Sequence, residues 1–347
     1  MTYRLFHLKN NVHQEEADMA HQRITFRHVT AVAAGIILAT ASAPGVAQSW
    51  QPEKAVEIVV SSAPGGSNDR IARIIQKIVQ EQKLVPVPVS VLNKPGGNQT
   101  ISRVYINQNP GDAHFMDIGN PTLIANTIAG RQQYTDFTPI ALLVSEFTAF
   151  SVRADSPYRN AKDLVAQLKK DPDSVSIGVS NRGGTNHLAM SLLAKAGGVD
   201  PRKLKIVVFK TNAEGLTAVL GGHIDLVASA VGTGVGRMRD GKTHILSVSA
   251  PQRMSGDMAQ VPTLREQGYD VSLANWRALI GPKGLSAAQV GYWEDVLTKV
   301  VATDDWKKIL DRYFWDGNFL RSKEFGEYMK SEYAQTKAIM TELGLVK

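Results

Sequence analysis

Short apolar runs alternate with amphipathic segments along most of this chain, and Gly, Pro or Asn separates them. VEIVVSSA (56–63) reads as a buried strand because its apolar residues run almost without interruption. In the segment that follows, Ile71, Ala72, Ile74, Ile75, Ile78 and Val79 recur at helical spacing, which predicts one apolar stripe to bury on a sheet. VPVSVL (87–92), FMDIGN (115–120), KIVVF (205–209), IDLVASAV (224–231) and ILSVSA (245–250) have strand character. Asn160 and Pro172 bracket AKDLVAQLKKD as a helix cap and a stop should. From Ala287 onward the pattern turns helical, with Trp293, Val296, Leu297 and Val300 on one face. Such alternation predicts parallel α/β layers with functional loops gathered at the carboxyl ends of the strands.

Two stretches repeat one grammar of β-rich run, glycine loop and amphipathic helix. In the first, VEIVVSSA passes through PGGSND to RIARIIQKIVQEQK; in the second, VSIGVS passes through NRGGTN to HLAMSLLAKA. Each unit sets unpaired backbone N–H groups and the positive end of a helix dipole at one spot, so each can hold an anion. Two such spots in one chain predict a clamp.

The first 50 residues bear on compartment. Arg23 and Arg27 precede the apolar stretch 29–43, and the small residues Gly45-Val46-Ala47 precede Gln48. That is the layout of a secretory signal over residues 1–47, too short for a comfortable membrane span, with an uncleaved anchor as the alternative. Glu15, Glu16 and Asp18 do not suit a basic signal start, so Met19 is the expected initiator. The chain has no Cys, which excludes a disulfide scaffold, a thiolate-zinc protein and a cysteine hydrolase. The formal charge of +7 is spread along the chain, with no basic block interleaved with aromatics to mark nucleic-acid binding.

The order of certain segments resembles a known family. APGGSNDRIAR, VLNKPGGNQTI, YTDFTPIALL, ADSPYRNAKDLV, SIGVSNRGGTNHLAMSLL, LTAVLGGHIDLV, VPTLREQGY, NWRALIGPKGLS and the closing LGL are similar, in that order, to the TctC or Bug substrate-binding proteins of tripartite tricarboxylate transport systems. The resemblance spans 53–345. It implies a two-lobed, type II periplasmic-binding-protein-like α/β fold, with two Rossmann-like domains, a ligand cleft and a hinge. The expected lobes are 48–150 plus 273–347, and 151–272. The implied role is a monomeric periplasmic receptor that captures a small organic carboxylate and delivers it to a membrane permease, with no cofactor and no metal. The ligand loops are then Ala63, Pro64, Gly65, Gly66, Ser67, Asn68 and Asp69, and Ser180 to His187.

Residue types give those loops a chemistry. Gly65, Gly66, Gly183 and Gly184 let amides approach an anion closely. Ser67, Asn68, Ser180, Thr185 and Asn186 can donate to carboxylate oxygens or to a bridging water. Asp69 cannot welcome an anion and is expected to cap the helix or hold the loop. His187 either braces its loop or offers a ring N–H, and Arg182 either meets the ligand or faces solvent. Asn120 and Pro121 lie on the approach to the pocket, although GDAHFMD departs from the family pattern there, as VVFKTN does at Lys210. Trp276 and Arg277 resemble the tricarboxylate branch, so Arg277 either pairs with a distal carboxylate or stays a surface arginine near the hinge. The enzyme alternative rests on Gly178-Val179-Ser180-Asn181-Arg182, a nucleophile-elbow fragment with Arg in place of the second glycine, and on His187.

Overall fold

The computed structural model describes residues 50–346. The expected leader, its start at Met19 and its cleavage before Gln48 lie outside the described residues. No described helix is long and apolar enough to cross a membrane.

One mixed sheet organises the chain. In sequence order its strands are β1 (Val56–Val60), β2 (Val89–Asn93), β3 (Phe115–Gly119), β4 (Phe137–Arg153), β5 (Ser176–Val179), β6 (Lys205–Val208), β7 (Leu226–Ala230), β8 (Thr243–Val248), β9 (Ala274–Pro282) and β10 (Leu320–Arg321). They lie in the order β2-β1-β3-β9-β4-β7-β5-β6, and β8 and β10 also pair with β4. The helices are α1 (Ser67–Glu81), α2 (Thr100–Asn107), α3 (Thr122–Ile128), α4 (Ala161–Lys170), α5 (Thr185–Ala196), α6 (Asn212–Leu220), α7 (Val231–Arg239), α8 (Ala287–Ala302), α9 (Asp304–Tyr313) and α10 (Ser322–Glu342).

The expectation of parallel layers holds within each half of the sheet and needs correction where the halves join. β1 pairs with β2 and β3 in parallel, and β5 pairs with β6 and β7 in parallel. β4 and β9, however, run antiparallel to each other, β9 runs antiparallel to β3, and β4 to β7 and β8. The physical reason is that β4, with 17 residues, belongs to both halves of the sheet. Its segment Phe137 to Phe147 pairs with β9, and Thr148 to Val152 pairs with β7.

This topology turns the two glycine loops toward each other. β4 runs parallel to β1 and β3 and leaves their half at their carboxyl ends. β5 and β7 run antiparallel to β4, so their carboxyl ends point back toward the same crossing; the last residue of β7, Ala230, pairs with Thr148. Local sequence produces the elements that carry the loops. α1 buries Ile71, Ala72, Ile75, Ile78 and Val79 against β1 and β2, as its stripe predicts. α4 starts where the Asn160 side chain accepts the Asp163 N–H, a cap of the expected kind. α8 buries Trp293, Val296, Leu297 and Val300. α10 spans both halves, with Phe325 and Met329 in a core beside β9 and Ile339 and Met340 in the core of β5 and β7. Burying each such side chain stabilises the fold by about 1.5 to 3 kcal/mol.

Candidate ligand-binding site

The first loop joins β1 to α1. Gly65 has φ +84°, a left-handed conformation that an L side chain would strain. Its N–H donates to Asp69 Oδ2 at 2.9 Å. Asp69, 3% exposed, also accepts from Arg73 Nε at 3.0 Å and from Asn93 Nδ2 at 2.8 Å. Burial pushes this carboxyl up, but the bonds from Arg73, Gly65 and Asn93 outweigh it and hold Asp69 below the usual carboxylate range. Asp69 therefore holds the loop. The cap position of α1 is Gly66, and no side chain bonds to it there. Buried Asn68 donates to Ser61 Oγ, and Ser61 in turn donates to Gln99 Oε1. Ala63, Pro64 and Gly65 are exposed, while Gly66 and Ser67 are half-buried.

The second loop joins β5 to α5 and repeats this design with different chemistry. Gly183 has φ +76°, and its N–H donates to His187 Nδ1 at 2.9 Å, which leaves the ring proton on Nε2. His187 is 4% exposed, and burial together with the nearby Arg182 charge lowers its pKa to about 4. Gly184 occupies the cap position of α5, again with no side-chain cap. A Cβ there would lie 1.7 Å from Asn181 Oδ1. Ser180, Thr185 and Asn186 are half-buried. Arg182 is exposed and donates to the Ile206 carbonyl at 3.3 Å. Because His187 Nδ1 is taken by Gly183, the ring atom facing the loop is not an acceptor for the Ser180 hydroxyl.

Residues of the crossing complete the arrangement. Thr148 Oγ1 donates to Asn186 Oδ1 at 2.9 Å, tying the second loop to β4, and Asn186 Nδ2 reaches Asn212 Oδ1 at 3.2 Å. Asn120 directly follows β3, and its Oδ1 accepts the Thr122 N–H at the start of α3, with Pro121 between them half-buried. Arg277, 7% exposed, faces Glu146 at 3.8 Å and donates through Nη1 to Asn275 and to the Trp276 carbonyl. Burial raises the Glu146 carboxyl against the opposing pull of Arg277, and Arg277 Nε is buried with no hydrogen-bond partner among the described residues. Trp276 is fully buried and points the other way, against Phe325 and Tyr328. Lys210 is exposed, its N–H bonded to Glu214 Oε2.

Sequence reasoning missed Arg73, Asn93, Thr148 and Glu146. The one available signal was positional: Gly-Gly-Ser-Asn-Asp and Gly-Gly-Thr-Asn-His place an acceptor four residues after the left-handed glycine in both loops. A cavity of about 1120 Å³ opens elsewhere, and none of the contact residues expected from sequence lines it. Ser145 and Phe147 do. Since successive strand side chains point to opposite faces, and Glu146 and Thr148 face Arg277 and Asn186, this cavity lies on the far face of the crossing.

A two-lobed α/β fold of the type II periplasmic class, with a cleft between the lobes, is the architecture of a solute-binding protein. Residues 71–345 match the tripartite tricarboxylate transporter family receptor, TctC, and the chain belongs to that family. It is 27% identical to the UPF0065 protein in the gbd 5'region of Cupriavidus necator, over 91% of this chain and 95% of that protein. A TctC solute-binding protein from Polaromonas, solved with no ligand, superposes with a TM-score of 0.74 at 26% identity, over 84% of this chain and 99% of that one. R. palustris Rpa4515, solved with adipate, superposes with a TM-score of 0.70 at 23% identity, over 84% of this chain and 98% of that one.

Proposed function

We propose that this chain is a periplasmic receptor that grips a small organic di- or tricarboxylate between its two glycine loops and delivers it to a tripartite tricarboxylate transporter permease. The observation that carries this reading is the pairing of the loops: two uncapped helix starts, each braced at a left-handed glycine, at opposed strand ends. Free amides at a helix N-terminus and the dipole behind them favour a carboxylate at either loop. Ser67, Thr185 and Asn186 add donors, and ordered water bridges what the amides do not reach. The adipate in the R. palustris neighbour supports the ligand class.

The lobes of this reading are 48–150 plus 273–347, and 151–272, and rotation about the β4/β9 crossing closes them on the ligand. Arg277, with one free buried N–H, is the candidate partner for a distal carboxylate. The test is a thermal-shift screen of the chain beginning at Gln48 against mono-, di- and tricarboxylates, because a ligand that binds only the native state raises the melting temperature. A di- or tricarboxylate is expected to raise it and Gly184→Val to remove the rise. A screen in which no carboxylate shifts the wild-type chain, or in which Gly184→Val shifts equally, overturns the reading.

A further inference from the structure

The cavity on the far face of the crossing has a chemistry opposite to that of the loops. Its floor carries the Ser145 hydroxyl, 1% exposed and without a hydrogen-bond partner among the described residues. Glu332 of α10, 6% exposed, also lines it. Ser145 pairs across the strands with Trp276, and the Glu332 carboxyl lies beside the Trp276 indole and the Tyr328 hydroxyl, so the two polar groups flank one aromatic residue. Among the described residues no cation pairs with Glu332, and burial pushes its carboxyl up to about 7. At the mouth, burial also raises the Asp316 carboxyl. The three arginines that line the cavity are already satisfied, Arg239 by Asp257, Arg253 by Glu266 and Arg265 by Asp270. Phe147, Phe314, Trp315 and Tyr328 supply aromatic wall.

What this recess lacks is a cation free to pair with Glu332, since its arginines are each held by another carboxylate. A buried carboxylate without a counter-ion is costly and is relieved by a paired cation. A serine oxygen can accept an N–H, and aromatic faces attract alkylammonium groups. An anionic ligand would instead meet unpaired carboxyls. We propose that this cavity is a second binding site, for a small protonated alkyl amine whose ammonium group sits against Glu332 and Ser145 within the aromatic wall. The walls come from both halves of the molecule: residues 251–257 and 272–274 on one side, residues 310–318 and α10 on the other.

Calorimetric titration of putrescine into the chain beginning at Gln48, at pH 8 and matched ionic strength, tests the site. Saturable binding is expected, weakened about tenfold or more by Glu332→Gln, since loss of one member of a buried charge pair removes a charge-assisted bond. Asp316→Asn, which removes a carboxyl at the mouth and leaves the backbone pairing of Asp316 with Ser145 in place, is expected to weaken it about threefold through partly screened attraction. The absence of saturable binding in the wild-type chain overturns the proposal. So does affinity unchanged in Asp316→Asn together with either an unchanged Glu332→Gln or, should that variant not fold, an unchanged Ser145→Ala.

Discussion

The two glycine loops solve one mechanical problem with different chemistry. Gly65-Gly66-Ser67-Asn68-Asp69 and Gly183-Gly184-Thr185-Asn186-His187 each turn on a left-handed glycine, start a helix at the second glycine, and return an acceptor to the first glycine's N–H. In the first loop that acceptor is a buried carboxylate, held charged by Arg73 and Asn93. In the second it is a buried imidazole, held neutral by burial and by Arg182. A charged brace beside an anion site needs its own cation, and Arg73 provides it. A neutral brace needs none, but it ceases to accept once protonated. The brace is therefore selected by its surroundings, and the two loops should fail under different conditions.

Acidification gives the largest expected separation. The imidazole pKa falls from an ordinary 6.5 to about 4 in the folded state, so between those values the unfolded chain binds the extra proton. The stability His187 contributes is complete above pH 6.5 and is lost as pH falls toward 4, by about 3 kcal/mol. Urea unfolding of the wild type and His187→Gln across that range should show the loss in the wild type alone. Glu332 and Asp117, both raised by burial, work in the opposite sense, losing stability as pH rises through about 4 to 7, and they cancel in the difference. The first loop should pass through the same window intact, because Asp69 remains ionised.

A smaller effect comes from removing the charged brace. Asp69→Ala leaves the Gly65 N–H without its acceptor and Asn93 Nδ2 with only the Ser62 carbonyl, and should cost about 2 to 3 kcal/mol at pH 7, with Arg73 discounted because its side chain is half exposed. Guanidinium unfolding checks it, and a cost below that of an average surface change would remove the brace from the account. The smallest effect should also be the most symmetrical: Gly65→Ala and Gly183→Ala each force a side chain into the left-handed region and should each cost about 1 kcal/mol. A marked inequality between them would show that the loops are not equivalent in backbone design.

Much of this was legible in the chain. The α1 stripe, the Asn160 cap and the α8 face follow local periodicity, and local periodicity survives folding because each helix still has one face to bury. The loops were legible because two adjacent glycines before a helix have few other uses. β4 was not: FTPIALLVSEFTAFSVR contains no sign that its first part pairs with β9 and its second with β7, since pairing partners are chosen by contacts remote in sequence. The same holds for Arg277, whose engagement with Glu146 depends on register between two distant strands. Asp69 was readable as a loop holder but not by which bonds, and the cavity behind the crossing, assembled from seven separate segments, left no local trace.

The central claim is that both loops meet one carboxylate ligand. A crystal structure of the chain beginning at Gln48, grown with adipate, tests it most directly. Adipate is expected in the cleft with carboxylate oxygens within hydrogen-bond reach, about 3 Å, of the amides of Ser67 and Asn68 and of Gly184 to Asn186, the Gly66 N–H being held by the Ala63 carbonyl. Adipate held by only one of the loops, or seated behind the β4/β9 crossing beside Ser145 and Glu332, would contradict it.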